Sequence, residues 1–159
     1  MGTSMKIQIV HSGSADETFS LGRKLGNLCQ PGDIVLLNGE LGVGKTVFSK
    51  GFGEGLGIED PISSPTFTLI QIYEGGRLPL YHFDVYRIAD VWEMDEIGYE
   101  DYFFGNGVCL IEWAARIEEL LPEKTISVTI EKDLEKGFDY RRITIEGLDT
   151  EAIDENIRD

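Results

Sequence analysis

Apolar and polar positions change period several times along this chain, and each change marks an element. Residues 6–10 alternate polar and apolar side chains, which predicts a strand. Ser14-Ala-Asp-Glu17 has capping-box spacing. The helix it opens carries Phe19, Leu21, Leu25 and Leu28 near helical spacing and stops before Pro31-Gly32. Residues 33–38 contain the apolar run Ile34-Val-Leu-Leu37, which fits a buried parallel strand. A glycine-rich turn follows, then a helix over residues 45–56. That helix carries Gly51, Gly53 and Gly55, each weakening it by about 1 kcal/mol relative to alanine. Close packing against a neighbour is the expected compensation.

The downstream half changes character. Residues 66–73 and 78–86 flank Glu74-Gly75-Gly76-Arg77, a hairpin signal. Residues 90–102 hold six acids and no base and predict a helix. Residues 108–111 form another buried strand, and 113–121 a short helix ended by Pro122. Residues 125–130 and 140–145 alternate and predict a second antiparallel pair, before a polar tail over 150–159. Helices alternating with strands first and hairpins later give an α/β fold: a mixed sheet flanked by helices, with antiparallel hairpin additions.

Length sets this as one domain over residues 1–159. Met1 to Ser4 precede a second methionine and are assigned no role. The N-terminus lacks the charged and apolar regions of a secretory signal, and no run reaches membrane-span length. Cys29 and Cys109 lack metal-ligand spacing and are flanked by apolar residues. They are expected to be buried free thiols in a reducing cytoplasm.

Charge narrows the function classes. Asp and Glu number 29 against 14 Lys and Arg, for a net charge of −15. Such a surface repels phosphate backbones, which argues against direct binding of nucleic acid or an anionic membrane. The acid is unevenly spread: residues 1–60 carry 7 acids and 5 bases, whereas residues 118–159 carry 13 and 6. The acidic surface is expected to engage basic protein partners.

The near-neutral first third holds the strongest motif. Gly39-Glu-Leu-Gly-Val-Gly-Lys-Thr46 matches the phosphate-binding pattern G-x-x-x-x-G-K-S/T at every defined position. Its glycines let backbone N–H groups turn around phosphate oxygens, and Lys45 supplies a charge to the β- and γ-phosphates. Thr46 offers a hydroxyl to Mg²⁺. A strand runs in and a helix runs out, as a P-loop NTPase-like fold requires. The expected nucleotide contacts are Glu40, Leu41, Gly42, Val43, Gly44, Lys45, Thr46 and Val47.

Such a site also needs a carboxylate for Mg²⁺ and a group to orient the attacking water. Val108-Cys-Leu-Ile-Glu112 is an apolar strand ending in an acid, which places Glu112 where ligands bind in parallel sheets. Asp84 is the second candidate. Period two puts His82, Asp84 and Tyr86 on one face and Tyr81, Phe83 and Val85 on the other, toward the core. His82 taken alone reads as a structural residue. Thr66 follows Pro65 at the start of a strand, where a hydroxyl could sense the γ-phosphate. Trp113 directly follows Glu112 and could shield the site or meet a partner.

These blocks together resemble the TsaE (YjeE) family, small ATPases of bacterial N6-threonylcarbamoyladenosine tRNA modification. The resemblance rests on the loop 39–46 with Val47-Phe-Ser-Lys-Gly-Phe52, on Ser64-Pro-Thr-Phe-Thr-Leu69, Tyr81-His-Phe-Asp-Val-Tyr-Arg87, Asp101-Tyr-Phe103 and Cys109-Leu-Ile-Glu-Trp113. It implies ATP and Mg²⁺ as cofactors, weak hydrolysis alone, and work with the proteins TsaD and TsaB. It further implies that Thr46 and Glu112 hold Mg²⁺, that Asp84, Glu112 and Trp113 serve hydrolysis or coupling, and that Thr66 belongs to a switch-like loop. The base and ribose would lie near residues 11–18.

Two other functions fit a P-loop. A small-molecule kinase normally carries a lid with several arginines, and residues 61–117 hold only Arg77, Arg87 and Arg116. A non-hydrolysing scaffold would have no use for Asp84 and Glu112.

Overall fold

The computed structural model describes residues 7–40, 42–63, 65 and 68–148. The elements follow the predicted order. They are β1 (Ile7–Ser12), α1 (Ala15–Leu28), β2 (Ile34–Gly39), α2 (Lys45–Gly55), β3 (Ile70–Tyr73), β4 (Leu80–Asp84), α3 (Trp92–Glu96), α4 (Tyr99–Phe103), β5 (Val108–Glu112), β6 (Ile126–Lys132) and β7 (Arg141–Glu146). Short 3₁₀ segments occupy Ala114–Leu120 and Leu134–Lys136. The predicted polar tail from residue 150, Met1 to Ser4, Leu41 and Thr66 lie outside the described residues.

The seven strands form one mixed sheet in the order β1-β7-β6-β2-β5-β4-β3. Strands β6, β2, β5 and β4 run parallel, and β1, β7 and β3 join antiparallel. The α/β architecture and both hairpin additions stand as the hydrophobic pattern predicted. Two apolar cores lie on opposite faces. Leu25, Leu37, Phe48, Phe52, Leu80 and Leu110 pack in one, beneath α1 and α2. Phe83, Met94, Phe103, Ile111 and Ile117 pack in the other.

The capping box forms: Glu17 N–H donates to Ser14 Oγ, and Glu17 Oε1 accepts from Gly13 N–H. The glycines of α2 have their compensation. A Cβ on Gly51 would stand 2.0 Å from the Phe19 carbonyl oxygen of α1, and one on Gly55 2.2 Å from that of Arg23. From the other side, a Cβ on Gly22 or Gly26 would strike the carbonyls of Phe48 or Phe52. The two helices thus touch backbone to backbone, which seats α2 and the loop before it.

Three predicted elements take a different form. The acidic helix is two short helices, because Gly98 between them adopts a left-handed φ of +69°. The segment after Trp113 is 3₁₀ and kinked at Ile117, not α-helical. On the polar face predicted for β4, His82 is fully buried while Asp84 is half-buried. Cys29 and Cys109 are buried free thiols, as expected. Among the described residues, no helix is long and apolar enough to cross a membrane.

Candidate nucleotide site

The glycine-rich loop leaves the carboxyl end of β2 and enters α2 at Lys45. Gly42 and Gly44 hold φ values of +76° and +111°, and among the described residues a Cβ on either would meet nothing within 4 Å. Glycine is required there for backbone conformation. Successive positive-φ turns of this kind aim N–H groups into one anion-binding concavity. The loop is braced from the far side: Arg141 Nε of β7 donates to the Val43 carbonyl at 2.8 Å. Its Nη1 donates to the Phe138 and Tyr140 carbonyls. No motif signals this contact, because Arg141 stands 98 residues from Val43 in the chain.

Lys45 and Glu112 converge at the loop mouth. Glu112 ends β5, beside β2, and only 4% of it is exposed. Its Oε1 lies 3.8 Å from Lys45 Nζ, and its Oε2 accepts from His82 Nε2 at 2.8 Å. Lys45 Nζ also stands 4.5 Å from the centre of the Trp113 ring, a cation–π arrangement. Trp113 reaches it through a left-handed backbone, φ 63° and ψ 34°, the sole positive-φ non-glycine among the described residues. That conformation costs on the order of 1–3 kcal/mol, and such strain concentrates at functional sites. The Tyr86 ring packs on Trp113 at 4.8 Å, and Arg116 covers Tyr86 in turn.

Asp84 stands opposite Glu112 in the parallel β4–β5 register. Its Oδ1 accepts the Tyr86 N–H at 3.0 Å. Burial raises the Asp84 pKa from its ordinary value; the Tyr86 amide opposes this, and the neighbouring Glu112 charge adds to it. Thr46 is exposed on the first turn of α2, and a cleft of about 530 Å³ lined by Asn38, Gly39, Val43, Lys45, Trp113 and Thr129 opens beside the loop. Glu40 is exposed and Val47 half-buried on either side.

These residues suit a nucleotide polyphosphate with Mg²⁺. Mg²⁺ takes few protein ligands, typically one or two carboxylates with phosphate oxygens and water. Glu112 stands beside Lys45 of the loop with Asp84 opposite it in the β4–β5 register, and Thr46 is exposed on the first turn of α2. The segment expected near base and ribose is partly spent on itself: Ser12 and Thr18 share a buried hydrogen bond. His11 remains exposed, stacked and hydrogen-bonded on Tyr140 next to the bracing Arg141.

Residues 12–143 match the family described as Threonylcarbamoyl adenosine biosynthesis protein TsaE. The tRNA threonylcarbamoyladenosine biosynthesis protein TsaE of Bacillus subtilis is 48% identical over 81% of this chain and 78% of its own. The protein of the same name from Treponema pallidum is 46% identical over 75% and 87%. The crystal structure of Bacillus subtilis YdiB superposes with a TM-score of 0.77 at 38% identity, covering 99% of this chain and 97% of that one. The loop, the strand and helix that flank it and these likenesses agree, and the chain belongs to the TsaE family.

Proposed function

We propose that this chain is a single-domain, cytoplasmic ATPase that binds ATP with Mg²⁺ at the loop 39–46. It supports the proteins TsaD and TsaB in forming N6-threonylcarbamoyladenosine on tRNA. The convergence of Lys45 and Glu112 at the mouth of the glycine loop carries this reading.

The residues have distinct tasks. Lys45 and the loop amides from 40 to 47 hold the phosphates. Thr46 and Glu112 hold the metal, which when bound neutralises charge on the transferring phosphoryl group. Asp84, kept ready to accept a proton by its raised pKa, orients or deprotonates the attacking water. Trp113 shields the lysine side of the site and hands its position to Tyr86 at the surface. Thr66 keeps its assignment to a switch-like loop on sequence grounds.

The kinase alternative loses support from its arginines. Arg77 donates to the carbonyls of Gly26, Asn27 and Cys29 at the end of α1, and Arg116 lies over Tyr86. That leaves Arg87 as the remaining arginine of residues 61–117 for a phosphate clamp, too few for a lid. The acidic surface favours basic protein partners over RNA, which fits a tRNA-pathway protein acting through others.

Phosphate release measured with and without TsaD and TsaB tests the proposal. Release should be slow alone, rise with the partners, and vanish in Glu112→Ala. ATP-dependent phosphorylation of a small molecule would overturn it.

A further inference from the structure

We infer that His82 is a positioning residue for Glu112, fixing which carboxylate oxygen faces the nucleotide and its metal. The inference rests on the Mg²⁺–nucleotide reading of the loop and assigns a task to a residue that the reading leaves unused.

The buried side of His82 carries the argument. The ring is fully buried within β4, and its Nε2 lies 2.8 Å from Glu112 Oε2. Its Nδ1 is buried and has no hydrogen-bond partner. A carboxylate only accepts, so the proton shared with Glu112 belongs to Nε2. One ring nitrogen is therefore committed to Glu112 and the other to nothing. A histidine kept only to fill the core would be replaceable by an apolar side chain of similar size, without the cost of an orphaned nitrogen.

The hydrogen bond makes the two oxygens of Glu112 unequal. Oε2 is held inward on His82, and Oε1 points to the loop, 3.8 Å from Lys45 Nζ. The sheet makes this possible. In the β4–β5 register His82 pairs with Leu110 and Asp84 with Glu112. Period two places His82 and Asp84 on the same face of β4, so His82 approaches Glu112 from one pleat below. An acid at a strand end can otherwise turn about its side-chain bonds. A rigid buried donor removes that freedom, and outer partners of metal ligands typically govern metal affinity or activity by roughly 10–100-fold.

Two measurements test this. The first is a long-range ¹⁵N–¹H spectrum of the wild-type protein without nucleotide. With two histidines in the chain, the signals of the buried one are separable from those of exposed His11. A proton on Nε2 is expected; a proton on Nδ1 alone would overturn the inference, whatever the loop binds. The second is calorimetric ATP binding across a Mg²⁺ series and in EDTA, for wild type, His82→Gln and His82→Leu. His82→Leu should raise the Mg²⁺ concentration needed for half-maximal enhancement by about 10–100-fold, with affinity in EDTA unchanged. His82→Gln retains a terminal N–H donor and should recover most of the loss. A leucine variant with wild-type Mg²⁺ dependence would overturn the positioning role while leaving the site reading intact. Wild-type binding indifferent to Mg²⁺ would overturn the site reading itself, and this role with it.

Discussion

Lys45 holds its ammonium nitrogen 4.5 Å above the Trp113 ring while Glu112 Oε1 stands 3.8 Å away. The lysine therefore has two partners inside the protein, and a polyphosphate must compete with both. A charge-assisted bond to phosphate is worth about 1.5–3 kcal/mol. Lys45→Ala should accordingly weaken ATP binding by roughly 10–100-fold in calorimetry. Unchanged affinity would remove the loop from the binding site.

Asp84 gives a stability prediction with a definite sign. Its pKa is raised first by burial and further by Glu112, against the opposing Tyr86 amide, so the folded state holds this proton more tightly than the unfolded chain. The stabilisation from that proton is complete below about pH 4, near the unfolded value, and is lost as pH rises through the folded value. Asp84→Asn removes the charge and keeps an acceptor for the Tyr86 N–H. Its Tm should exceed that of wild type at pH 7, and the gap should close as the pH falls toward 4. A lower Tm at pH 7 would mean that the charge at position 84 stabilises the free protein. The same variant should lose ATP hydrolysis, the usual exchange of stability for function at a strained site.

The two thiols report local opening. Burial pushes both Cys29 and Cys109 up to about 12, and neither is accessible in the folded protein. At pH 8 the thiolate that reacts is then a minute fraction even where reagent could reach it. Native protein should show no thiol titre with a chromogenic disulfide over minutes, and the full titre of two in denaturant. A fast-reacting native thiol would mean that the core around it opens readily.

Much of this arrangement could be read from local pattern. The loop, α2 and the acid ending β5 depend on neighbouring residues, so a motif of eight positions and one apolar run locate them. Contacts set by strand order could not be read. His82 meets Glu112 because β4 lies beside β5, 30 residues apart in the chain, and Arg141 braces Val43 because β7 reaches the loop's far side. Period two put His82 on one face with Asp84 but carried no sign that it is fully buried. The kinked 3₁₀ segment was also illegible, because the left-handed Trp113 that starts it carries no residue signal: a glycine or asparagine would ordinarily mark that conformation.

The glycines of α2 were legible as an anomaly, and the structure turns them into a graded prediction. Alanine would gain about 1 kcal/mol of helix propensity at each position. At Gly51 the new Cβ would stand 2.0 Å from a backbone oxygen of α1, which can yield only if the helices separate. At Gly53 it would meet the Ile62 side chain at 2.6 Å, which can turn to another rotamer. Overpacking costs typically about 1–3 kcal/mol, and more where backbone must move. Gly51→Ala should therefore destabilise the protein by at least about 2 kcal/mol in urea denaturation, and Gly53→Ala by clearly less. Separation of α1 from α2 would also shift the first turn of α2, so Gly51→Ala should weaken ATP binding while Gly53→Ala retains it. Equal stability losses at the two positions would show that helix separation is not what limits the first.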